Sequence, residues 1–133
     1  MDKIISIKNL NVVFNKDVSA LKDINLEITK GKTTAIVGES GSGKTLTALS
    51  ILKLLPSSAK ITEGKIFYKN TDILSLSENE IQKIRGKKIA TIFQEPMSSL
   101  NPLHTINKQI EEIILTHNKV SNTEAKNKTI KLL

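Results

Sequence analysis

Gly38-Glu39-Ser40-Gly41-Ser42-Gly43-Lys44-Thr45 fits the pattern G-x-x-x-x-G-K-S/T at every fixed position. Each position has a chemical reason. The glycines let the backbone curl tightly and turn its N–H groups inward, where they form a nest for phosphate oxygens. A helix that follows points its positive N-terminal end at the same place. Lys44 supplies a point charge to the outer phosphates, and the Thr45 hydroxyl can ligate Mg²⁺. An octamer of this kind can arise by chance, so its flanks matter. Thr33–Val37 is a short β-branched run that reads as a buried strand. Lys44–Leu55 has good helix formers, no Gly or Pro, and a stripe of Leu49, Leu52 and Leu55; Pro56-Ser57-Ser58 stops it. Strand, glycine loop and helix together imply an α/β fold that cradles phosphate.

Outward from the loop, further elements are legible. Ile4–Ile7 and Val12–Phe14 read as short strands around Lys8–Asn11. Ala20–Ile28 contains the period-2 pattern of a half-buried strand, and Lys30-Gly31-Lys32 is a turn. Gly64–Tyr68 is another strand, followed by a turn at Asn70–Asp72. Ser77-Glu78-Asn79-Glu80 matches a capping box and should open a helix ending near Gly86. Lys88–Phe93 reads as a strand and Gln94–Pro102 as a loop. Ile106, Ile110, Ile113, Ile114 and His117 share one helical face. Ser121-Asn122-Thr123-Glu124 is a second capping box.

Composition narrows the classes. The chain has 133 residues, which suits a single domain, and 38% are hydrophobic. Aromatics make up 3%, so the core must be mainly Ile, Leu and Val. There is no cysteine, which excludes disulfides and thiolate metal sites and fits a reducing compartment. No apolar run approaches the ~20 residues needed to span a bilayer, and no basic-then-apolar signal segment opens the chain. A cytosolic location is expected, without direct membrane insertion. The net charge of +7 could suit nucleic acid, but Arg85 is the single arginine, the lysines are scattered, and few aromatics exist to stack bases. The expectation is a solvated Lys-rich surface and no nucleic-acid partner.

Val37 to Thr45 resembles the Walker A motif of ABC transporter ATPases. Ile92-Phe93-Gln94-Glu95-Pro96-Met97-Ser98-Ser99-Leu100-Asn101-Pro102-Leu103 resembles their Q-loop, in a form close to the oligopeptide, dipeptide and nickel importer branch. Lys87-Lys88-Ile89-Ala90 fits the same branch. The resemblance covers essentially the whole chain. It implies a P-loop NTPase fold of the ABC nucleotide-binding type. Residues 1–32 would form an antiparallel β subdomain, 33–95 the P-loop core to the Q-loop, and 96–133 the start of a helical subdomain. It implies ATP and Mg²⁺ as ligands, held by Gly38, Glu39, Ser40, Gly41, Ser42, Gly43, Lys44, Thr45 and Leu46. Gln94 would touch the Mg²⁺ or the attacking water and couple the site to the helices that follow. Phe14 is placed either against the adenine or in the core. The implied partners are transporter membrane subunits and a second ATP-binding subunit, alike or different, with the chain peripheral on the inner face of the membrane.

Other family motifs are not found. Gly86 is the last glycine, so no Ser-Gly-Gly signature follows the Q-loop, and Asp72 is the last aspartate, so no Walker B does. Asn70 and Thr71, polar residues, precede Asp72. His104 and His117 lie too close to the Q-loop to be the switch histidine. Glu111 and Glu112 are adjacent and point to different sides of a helix. The resemblance therefore implies a chain that stops short of the hydrolytic machinery, inside the helix opened by Ser121. Hydrolysis by these residues alone is expected to be negligible. Two rivals stay open: a fragment that binds ABC partners through 94–133 without ATP, and a piece of a non-transport ABC ATPase. A small P-loop kinase or GTPase would need an Asp-x-x-Gly or Asn-Lys-x-Asp, and neither occurs.

Overall fold

Twelve-residue strands dominate the first half of the computed structural model, which describes residues 2–15, 18–95 and 99–133. β1 (Lys3–Phe14) and β2 (Val18–Thr29) form an antiparallel hairpin, and β3 (Ala59–Tyr68) lies on the other side of β1. A short β4 (Thr71–Asp72) completes the sheet order β2-β1-β3-β4. The buried face is apolar: Ile5, Ile7, Leu10 and Val12 from β1, Leu21 from β2 and Ile66 from β3.

The sequence reads β1 as two strands, and the structure joins them. Ile5 and Ile7 obey the period of two, and so do Leu10 and Val12, but the gap between the pairs is one residue too long. A bulge absorbs the extra residue, with Asn9 at φ 48° and a register shift between Ile7 and Leu10. Both pairs then stay on the core face. The neighbouring strands bend with it, at Asp23 (φ 48°) and Gly64 (φ 107°). Side-chain amides take over from the interrupted ladder. Asn9 Nδ2 donates to Asp23 Oδ1 at 2.7 Å, and Asp23 N donates to Asn11 Oδ1 at 3.0 Å. Asn9 N reaches Asn25 Oδ1 at 3.0 Å.

α1 (Lys44–Ile51) follows the glycine loop and buries Thr47, Ser50 and Ile51. It is shorter than the helix expected to reach Leu55. Lys53 takes φ 54°, and Lys53 N and Leu54 N donate back to Ser50 O and Leu49 O, a Schellman closure. Lys53 Nζ donates to Leu76 O at 2.7 Å, which holds this left-handed residue in place. Asp72 caps the 3₁₀ turn Ile73–Ser75, and the short α2 (Glu78–Gln82) begins at the expected Ser77, whose N–H donates to Glu80 at 2.8 Å.

The chain divides into two units, one ending at Ile81 and one spanning Gln82–Leu133. The second holds α3 (Ile106–His117) and α4 (Asn122–Leu132), as expected from their apolar face and capping box. They pack on one another, and Ala125 and Thr129 of α4 are fully buried. Gln109 fastens the preceding loop, accepting from Asn101 N and donating to Asn101 O and His104 O. No helix among the described residues is long and apolar enough to cross a membrane.

Two expected strands are not strands. Thr33–Val37 and Lys88–Phe93 find no ladder partner among the described residues, apart from one isolated bridge between Arg85 and Ile89. Val37 is 88% exposed and Ile92 95%. A strand exists only through a neighbour's hydrogen bonds, and a β-branched run alone does not supply one.

Candidate functional site

Gly38–Leu46 comes together as one loop and helix start. Gly43 is the N-cap of α1, with φ 89° and ψ 2°, and no side chain caps the helix. Only glycine takes this conformation at little cost. The amides of the first turn therefore keep donors for an external acceptor. Gly43 O accepts from Thr47 N at 2.8 Å and Thr47 Oγ1 at 3.0 Å, which anchors the cap to the helix.

Lys44 folds back over the loop. Its Nζ donates to Gly38 O at 2.8 Å, Glu39 O at 2.6 Å and Ser42 Oγ at 3.3 Å. An ammonium has three donors, and here two carbonyls and one hydroxyl take them. No carboxylate pairs with Lys44 among the described residues. The loop thus holds a full positive charge beside uncapped amides, an arrangement that favours an anion. Ser42 N donates to Glu39 O at 3.2 Å, keeping the loop tight.

Glu39, Ser40, Gly41, Ser42 and Thr45 are exposed, and Leu46 is half-buried. The Thr45 hydroxyl makes no hydrogen bond to another described residue, so its oxygen can take a cation. Among the described residues no group of three His, Cys, Asp or Glu could hold a metal. A hydroxyl with phosphate oxygens and water suits Mg²⁺, which keeps much of its hydration.

Phe14 is half-buried at the end of β1 and pairs with Val18 and Ala59. Val18 lies three residues before Leu21, and Leu21 packs against Gly43. Phe14 sits at the turn end of the hairpin, opposite Val18. Sequence reading missed the loop's support. Ala20 and Leu21 read only as strand residues, yet both touch Gly43. The one available signal was the apolar character of Leu21.

Gln94 and Glu95 belong to the second unit and are exposed at a bend. Pro96, Met97 and Ser98 of the Q-loop string lie outside the described residues. Upstream, Gly86 turns at φ 73° against the His117 ring, and Lys87 Nζ donates to His117 O at 3.0 Å. His117 thus packs beside Gly86 within the second unit.

Comparisons with known proteins bear on the family and the fold. A family model described as ABC transporter matches residues 21–133. The chain is 44% identical to the dipeptide transport ATP-binding protein DppD of Bacillus subtilis, over 100% of this chain and 41% of that protein. It is 42% identical to the oligopeptide transport ATP-binding protein OppD of the same organism, over 98% of this chain and 38% of that protein. The chain therefore spans well under half the length of these relatives. Among solved structures, it is similar to the ATP-binding cassette MJ0796, described as a dimeric post-hydrolysis state bound to ADP and Pi. The TM-score is 0.76 and the identity 27%, covering 96% of this chain and 54% of that one.

Proposed function

The chain belongs to the ABC transporter family, and from that premise we propose that it binds Mg-ATP at Gly38–Leu46 and serves the ATP-binding subunit of a peptide importer. The observation that carries the reading is the clasp of Lys44. An ammonium with no carboxylate partner among the described residues and the uncapped amides of α1 converge on one loop. Phosphate oxygens would replace at least one of the loop carbonyls now held by Lys44. Thr45 would contribute its hydroxyl to Mg²⁺, whose charge offsets that of the phosphates. Gln94 would reach the same ion or the attacking water, and Phe14 would stack on the adenine.

Peptides as the cargo rest on the names of the relatives, which transport dipeptides and oligopeptides. The partners would be membrane subunits and a second ATP-binding subunit, with the chain peripheral to the cytoplasmic face. The 133 residues supply the phosphate cradle but no Walker B aspartate, so they should turn over no ATP by themselves.

Titration of the chain with Mg-ATP, with Lys44→Ala alongside, tests the proposal. Binding that the substitution removes supports it. A well-folded chain that ignores ATP while still capturing transporter subunits would favour an ATP-independent interaction role.

A further inference from the structure

We propose that Leu21, on β2 and outside the phosphate-binding motif, is a positioning residue that sets the shape of the P-loop and so its affinity for nucleotide. The inference rests on the ATP-binding reading above. Leu21 is buried, 3% exposed, and pairs across the hairpin with Val12, which is fully buried. Its side chain cannot easily swing away. Its Cδ2 fills the space that a Cβ on Gly43 would take, and Ala20 O lies 3.4 Å from that same point. β2 therefore presses directly on the N-cap of α1.

Gly43 is the pivot of the site. Its left-handed φ of 89° turns the chain from loop into helix, and its carbonyl holds Thr47. The direction of the Lys44 amide is set by this residue's dihedrals, and the Thr45 amide follows one helical residue on. A support that fixes Gly43 fixes those donors before a ligand arrives, which is preorganisation. Loosening the support would let the loop sample shapes with misdirected amides, and apparent affinity falls with the competent fraction.

The test compares Leu21→Val with Ile7→Val. Both remove one methylene from a buried side chain of the same sheet. Ile7 pairs with Leu26 and Ile66 beyond the bulge, away from the loop. Three quantities are measured for each: thermal midpoint, Mg-ATP affinity by calorimetry, and exchange of the Ser42 and Thr47 amides, which are bonded to Glu39 O and Gly43 O. Both variants should lower the midpoint. Only Leu21→Val should weaken Mg-ATP about tenfold and speed exchange at Ser42 and Thr47. Wild-type affinity and wild-type exchange in Leu21→Val would overturn the proposal, as would equal losses in Ile7→Val. Should Leu21→Val fail to fold, Leu21→Ile keeps the volume and moves the branch off Cγ, and the same readings apply. A wild-type chain giving no Lys44-dependent heat would sink the ATP reading alone, because the exchange comparison still decides whether Leu21 holds the loop.

Discussion

Gly64 and Gly43 are two glycines whose missing side chain leaves room for another part of the fold. A Cβ on Gly64 would lie 2.6 Å from Leu10 Cα, 2.7 Å from Asn9 O and 2.8 Å from Lys8 O. All three are backbone atoms of the β1 bulge, so none can rotate aside, and φ 107° adds strain. Gly64→Ala should therefore destabilise the sheet by about 3 kcal/mol or more. A denaturant midpoint close to wild type would contradict this. Gly43 faces Leu21 instead, a side chain, and its role is local to the glycine loop. Residue chemistry was the most legible scale in the sequence, because the octamer names its own donors. What it could not reveal was support arriving from elsewhere. Leu21 lies more than twenty positions before Gly43, and nothing in an apolar strand residue says which loop it touches.

Helix starts declared themselves; helix ends and strands did not, since α1 stops at Ile51 rather than near Leu55 and α2 at Gln82 rather than near Gly86. Ser121 accepts from Glu124 N at 3.3 Å, and Glu124 Oε2 accepts from Ser121 N at 2.9 Å, so the capping box read from sequence is formed in both directions. Those hydrogen bonds, the backbone one first, hold the Glu124 carboxyl below its ordinary range. A carboxylate lowered in the folded state stabilises it above the ordinary pKa, and that contribution is lost as pH falls through the lowered value. The start of α4 should fray on acidification below the usual glutamate range, and Glu124→Gln should lose this pH dependence. NMR of the Ser121 and Glu124 amides against pH would show it; an identical profile in both proteins would refute it. Capping is local, so its signal sits within four residues. Strand identity is not. Thr33–Val37 has the composition of a buried strand and no ladder partner among the described residues, whereas Lys8–Asn11 looks like a break and is a bulge inside one. Pattern recorded which residues prefer extended backbone, and pairing decided which become sheet.

At the scale of the whole molecule, the exposed apolar residues of these unpaired segments stand out. Ile36, Val37, Ile92 and Phe93 all face solvent, with unpaired backbone beside them. Such edges invite association. The 133-residue chain should bind a hydrophobic dye and self-associate with rising concentration, and joint Val37→Thr and Ile92→Thr substitution should reduce both. Light scattering that stays monomeric for the unsubstituted chain would argue against it. Family membership does not depend on that outcome. The decisive measurement is calorimetric titration of the folded chain with Mg-ATP, beside Lys44→Ala. Saturable heat that vanishes with the lysine is the expected result; a well-folded chain with no heat, or heat unchanged by the substitution, would contradict nucleotide binding at this loop.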